Sequence, residues 1–269
     1  IVTNGDTPVF NLNVDVPGAD VTAFADYLPA AVSGTAGFQG TVWGTPQDVS
    51  ARGTASLHDV TYDGYTVDEV RADLAYSHDR VDIASLSAQA YGASLTGKGV
   101  YDVRSGAYEA DVDVQGLDLS ALPGVPAAVM GNLSASLHAA GNSQDGSIVA
   151  TGQVKASNLS YNGLTVDTAA GDVAYDGRIV TLRSGHAEAG GASVDVSGSY
   201  DVDSQTPHLT FTGHDLPLDM ASPFASLPLS GTADLSGHVD GSQWDVAFSA
   251  SQGQIKGVPF DSLDGTARG

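Results

Sequence analysis

Along residues 8–16 the apolar side chains fall on every second position, Phe10, Leu12, Val14 and Val16, with Asn11, Asn13 and Asp15 between them. A period of two puts alternate residues on opposite faces of a strand, so this stretch predicts a strand with one apolar and one wet face. The alternation returns at Val70, Ala72, Leu74 and Tyr76 against Arg71, Asp73 and Ala75. It continues at Val81 and Ile83, at Leu95, Gly97, Gly99 and Tyr101, and at Tyr108, Ala110, Val112 and Val114. Between such runs stand Gly, Asp and Asn, and the pairs Asp63-Gly64 and Asn162-Gly163 predict tight hairpins.

The pattern is also copied. Residues 59–103 recur ninety-nine positions later as residues 158–202, with nineteen of forty-five identical and no gap, against roughly four expected from ordinary composition. The copy keeps the faces: Val173 and Tyr175, Val180 and Leu182, Val194, Val196 and Tyr200, then Leu209 and Phe211 are apolar where their counterparts are. The phase slips at one equivalent point in both copies. Ala55 and Leu57 give way to Val60 and Tyr62 across Asp59, as Val154 and Ala156 give way to Leu159 and Tyr161 across Asn158. One extra residue, a β-bulge, explains each slip. A third, shorter copy places residues 257–261 where 64–68 and 163–167 stand.

The repeats divide the chain into the end of a preceding unit over 1–33, units over 34–130 and 131–230, and the start of another over 231–269, opened by Gly34, Gly131 and Gly231. Pro17-Gly18 predicts a break after the first strand, and residues 20–29 a short helix with Asp20 as its cap; 117–123 and 216–223 predict equivalent crossovers. Each unit then holds five or six antiparallel strands of about ten residues. The expected class is all-β, and no predicted helix is long enough to cover the apolar face. That face is expected either to close on a second sheet as a sandwich or to curl into an elongated, half-open trough, one continuous β-groove rather than separate domains. Because the pattern begins and stops within a repeat, the chain reads as an internal fragment of a longer protein.

Charge narrows the partners. With 32 acidic and 10 basic residues the net charge is -22, which excludes nucleic acid as a partner, since phosphate binding depends on basic patches. The absence of cysteine removes disulfides, thiolate metal sites and a cysteine nucleophile together. No run approaches the ~20 apolar residues of a spanning helix. The seven histidines, His58, His78, His138, His186, His208, His214 and His238, show no metal-ligand spacing and read as turn or outer-face residues. The recurrent Asp63, Asp68, Asp102, Asp167 and Asp201 fit hairpin turns without calcium. No phosphate-cradling loop or nucleophile elbow occurs, so no catalytic residue, metal or cofactor is expected.

The Gly-opened strand, the Tyr-Asp-Gly hairpin followed by Val-Asp, the Ala-Asp-Leu-Ala-Tyr strand at 72–76, the Gly-Ala-Ser-Leu turn at 92–95 and the Asp-Leu-Ser-Ala-Leu-Pro crossover at 118–123 together resemble the AsmA-like and TamB-like proteins of bacteria with two membranes. The resemblance covers essentially the whole chain and rests on Gly, Asp and alternation. It implies a half-open β-trough in the periplasm, held to the inner membrane through a segment outside this fragment. It also implies phospholipid as cargo and, in the TamB-like branch, an outer-membrane barrel of the assembly family as partner.

Independently of that resemblance, a wide apolar face with no helix over it calls for an occupant. The expected acyl-chain lining is Leu74, Tyr76, Val81, Ile83, Val112, Val114, Val173, Tyr175, Val180, Leu182, Val194, Val196, Leu209 and Phe211. The competing expectation makes these residues the core of tandem immunoglobulin-like sandwiches in a surface adhesin or stalk. Against it stand the long strands and only 2 Trp and 7 Phe.

Overall fold

The computed structural model describes residues 2–4, 7–22, 32–62, 64–161, 164–221 and 228–269. They form β1 (Val2–Asn4), β2 (Thr7–Asp20), β3 (Val32–Thr45), β4 (Asp48–Tyr62), β5 (Tyr65–Ser77), β6 (Arg80–Ala90), β7 (Ala93–Asp102), β8 (Ala107–Asp118) and β9 (Val129–Asn142). There follow β10 (Ser147–Tyr161), β11 (Leu164–Tyr175), β12 (Ile179–Ala189), β13 (Ala192–Asp201), β14 (Thr206–Pro217), β15 (Leu229–Asp240), β16 (Gln243–Ile255) and β17 (Val258–Arg268). The chain divides into two compact units, Ile1–Val125 with Leu133–Val149, and Pro126–Asn132 with Ala150–Gly269.

In the first unit β1 pairs with β2, and β2 to β7 each pair antiparallel with the next strand. In the second, β10 to β16 do the same. The fold is all-β, and the antiparallel sheet is open. A sandwich is not formed. Its signature would be Val, Leu and Phe buried between two layers, whereas among the described residues the buried apolar ones are eight alanines, Ala72, Ala88, Ala90, Ala93, Ala135, Ala192, Ala233 and Ala250, and no large side chain is fully buried. The accessible surface is 16380 Å², against about 13,000 Å² for two compact bodies of half the mass.

The bulges at Asp59 and Asn158 are present, with left-handed φ of 51° and 52°. From Ser33↔Thr61 to Thr35↔His58 the β3–β4 register gains one residue on β4. Gly34 faces that bulge at φ 127°, where an added Cβ would lie 2.9 Å from the carbonyl oxygens of both His58 and Asp59; only glycine fits. The third copy carries an equivalent bulge at Gln252, φ 50°, opposite Gly231.

Two expectations change. Pro17-Gly18 does not end the first strand: β2 runs on to Asp20, and the irregularity is absorbed as one extra residue between Val16↔Phe38 and Ala19↔Ala36. A bulge accommodates a proline, which has no N–H to donate to the ladder. The described crossovers are single 3₁₀ turns, Leu119–Ala121 and Leu218–Ala221, rather than longer helices. Asp118 caps the first, accepting from the Ser120 N–H at 2.9 Å and hydroxyl at 2.7 Å. Asp20 accepts from the Thr22 N–H and hydroxyl in the same way; the remainder of the 20–29 helix lies outside the described residues.

Candidate functional site: an uncharged sheet face

Register places the expected lining on common faces, one in each unit. In the first, Tyr76 pairs with Val81 and Leu74 with Ile83. Val81 pairs with Tyr101 and Ile83 with Gly99, and Val112 and Val114 face Gly97 and Leu95. In the second unit, Tyr175 pairs with Val180 and Val173 with Leu182. Val194 faces Ala187 on one side and Gly213 on the other, while Val196 faces Phe211 and Leu209 faces Gly198.

These residues are half-buried apart from Val180 at 36 % exposure. The facing residues are exposed: along β8, half-buried Tyr108, Ala110, Val112 and Val114 alternate with exposed Glu109, Asp111, Asp113 and Gln115. Following the in-register set from β2 to β8, and from β10 to β17, no position carries Asp, Glu, Lys, Arg or His. The charge of these strands stands on the opposite face, at the turns, or at slips of the ladder, where Asp59, Asp68, Asp167, Arg183, Asp215 and Asp261 have no cross-strand partner in the register. In the second unit, Val154, Ala156, Ala169, Gly171, Leu182, Gly185, Ala187 and Val196, with Ala170 and His186 at the edge, line a mostly apolar hollow of about 160 Å³.

Glycines on this face are covered by large neighbours, a feature that alternation alone does not disclose. A Cβ at Gly53 would meet the Phe38 ring at 2.9 Å, and one at Gly237 the Phe211 ring at 2.9 Å. At Gly171 it would lie 2.6 Å from Leu182 Cδ1, and at Gly265 it would lie 2.6 Å from the Phe248 ring. The large side chains therefore lie over the glycines of adjacent strands. The available sequence signal was the glycines themselves: Gly40, Gly53, Gly171, Gly237 and Gly265 sit at apolar-phase positions of strands, where glycine otherwise weakens a sheet.

The wet face carries a structural network. Asp73 accepts from Thr54 at 2.7 Å and Ser85 at 2.9 Å, and these bonds hold its carboxyl below the usual range. Arg178 donates to Asp201 at 2.9 Å and, with backbone N–H groups, depresses that carboxyl to about 2. His138 contacts Asp111 at 2.8 Å, and His186 and His208 contact Asp195 and Asp240 at 2.7 Å each. The hydrogen bond to Asp195 raises the His186 pKa. His58, His138, His186, His208, His214 and His238 are exposed strand residues and His78 sits in a turn at φ 50°, as their spacing predicts. Among the described residues, no three His, Asp or Glu side chains come together as a metal site.

No protein-family model matches the chain, and neither a characterised protein nor a solved structure matches it.

Proposed function

We propose that the chain is a non-enzymatic carrier of lipid acyl chains, held against its uncharged sheet face. The observation that carries this reading is an in-register face without a single charged position and without a second layer to cover it. Transferring a chain of about sixteen methylenes through water costs on the order of 13 kcal/mol at ~0.8 kcal/mol per methylene. A lining of Val, Leu, Ala and Tyr offsets much of that cost. With no buried polar group among the described residues to fix a cargo in one place, it lets the chain slide. The resemblance to AsmA-like and TamB-like proteins extends the proposal to phospholipid moving through the periplasm between inner and outer membranes, with an outer-membrane assembly barrel as a partner.

The test is organic extraction of the purified chain followed by mass spectrometry. Co-purifying acyl lipid supports the proposal. Protein that is lipid-free and takes up no lipid from phosphatidylcholine vesicles contradicts it. The adhesin reading rested on sandwiches, and the open sheet gives it no support.

A further inference from the structure

The tyrosines occupy particular places on the apolar face. Tyr65 opens β5, Tyr161 and Tyr175 close β10 and β11, and Tyr76, Tyr101, Tyr108 and Tyr200 stand one residue from the end of their strands. Register puts five of the seven in the apolar phase: Tyr76 and Tyr175 head the rows through Val81 and Val180, which pair in turn with Tyr101 and Tyr200, and Tyr101 pairs with Tyr108. Tyr65 pairs with Tyr62, which lies opposite Val32 in the β3 phase of Ala36 and Phe38, and Tyr161 holds the place of Tyr62 in the copy. Three phenylalanines, Phe38, Phe211 and Phe248, stand in the middle of β3, β14 and β16, while Phe10 and Phe260 lie nearer the starts of β2 and β17. Within each unit the apolar band is thus bordered, along the strand ends, by rings that carry a hydroxyl.

Phenol rings collect at the boundary between hydrocarbon and water, because one end of the side chain is apolar and the other is wet. Four of the hydroxyls are tied to the chain: Tyr76 to Asp79, Tyr101 to Ser143, Tyr108 to the Ser147 carbonyl and Tyr175 to the Gly177 carbonyl. Those of Tyr65, Tyr161 and Tyr200 make no hydrogen bond to the described residues, and these side chains are 52 %, 52 % and 41 % exposed.

We propose that Tyr65 in the first unit, and Tyr161 and Tyr200 at opposite borders of the second, each donate a hydrogen bond to an ester or phosphate oxygen at the head-group end of a bound lipid whose acyl chains lie on the band of that unit. The inference rests on the acyl-chain reading and adds to it a selectivity: an ester lipid is held at its polar end, and a bare hydrocarbon is not. With neutral donors in place of cations, the site is indifferent to head-group charge.

The test uses the whole 269-residue chain and the triple variant Tyr65→Phe/Tyr161→Phe/Tyr200→Phe, which keeps the rings. Binding is measured to diphenylhexatriene, a fluorescent diacylglycerol and a fluorescent phosphatidylcholine. The expected result is a loss of affinity of roughly fivefold or more for an ester lipid, with diphenylhexatriene unchanged, which also certifies that the variant is folded. Loss for both lipids assigns the bonds to ester oxygens, and loss for phosphatidylcholine alone assigns them to phosphate. Unchanged affinity for both lipids overturns the role of the tyrosines. A parent chain that binds none of the three probes overturns the acyl-chain reading itself.

Discussion

Ser184 donates its hydroxyl to Asp172 at 2.9 Å, and ninety-nine residues earlier Ser85 donates to Asp73 at the same 2.9 Å. Both serines lie where the sheet register slips, between Asp73↔Ser85 and Leu74↔Ile83 and between Asp172↔Ser184 and Val173↔Leu182. The two wet-face bonds hold the extra residue of β6 and β12 so that Ile83 and Leu86, or Leu182 and Gly185, return to the apolar face. Asp73→Ala or Asp172→Ala is therefore expected to loosen its own strand only. Amide hydrogen exchange should accelerate around residues 83–86 or 182–185, with the global thermal midpoint moving by no more than a few degrees. Uniform acceleration across the sheet would contradict a local role.

Glycine cover predicts an asymmetry between glycines. Gly171→Ala forces Leu182 and the Ser184 carbonyl to move, since an added Cβ would lie 2.6 Å and 2.7 Å from them; overpacking of this kind costs about 1–3 kcal/mol. Gly18→Ala meets nothing within 4 Å and is expected to be neutral or slightly stabilising. Urea midpoints of the two variants check the contrast.

The third bulge is occupied by a residue poorly suited to it. Gln252 holds φ 50°, a left-handed conformation that costs roughly 1–2 kcal/mol for an ordinary side chain. Gln252→Gly is expected to raise the thermal midpoint, whereas Asn158→Gly, replacing a residue that tolerates this region, should change it less.

Acid should act through Asp201. Its carboxyl is held at about 2, chiefly by Arg178, below the usual ~3.9 of an unfolded chain. Stability from this group is complete above the unfolded value and is lost as pH falls through the folded one. Arg178→Ala is expected to move acid unfolding, followed by far-ultraviolet circular dichroism, to higher pH. An unchanged acid transition would contradict the assignment.

Much of this fold was legible because period two, paired turn residues and a ninety-nine-residue copy all describe the same object. The bulges at Asp59 and Asn158 were readable, since Asp and Asn are residues that tolerate left-handed φ and the apolar phase slips beside them. The one at Gln252 was hidden by a residue that gives no such signal. The slips at β6 and β12 left only a spacing of three, Ile83 to Leu86 and Leu182 to Gly185, which reads as a strand end unless the Asp–Ser bonds are known. Pro17-Gly18 reads locally as a break, yet pairing with β3 carries the strand through it. The residues of the uncharged face could be named from alternation. The rings over glycine could not, because they join residues on different strands.

The proposed occupation of one sheet face by lipid acyl chains can be tested residue by residue on β13. A photo-crosslinking amino acid is placed in turn at Val194, Asp195, Val196 and Ser197, the protein is loaded with phosphatidylcholine, and adducts are identified by mass. The account predicts lipid adducts at 194 and 196 and none at 195 and 197. Equal labelling at all four positions, or labelling at 195 and 197 alone, would contradict it.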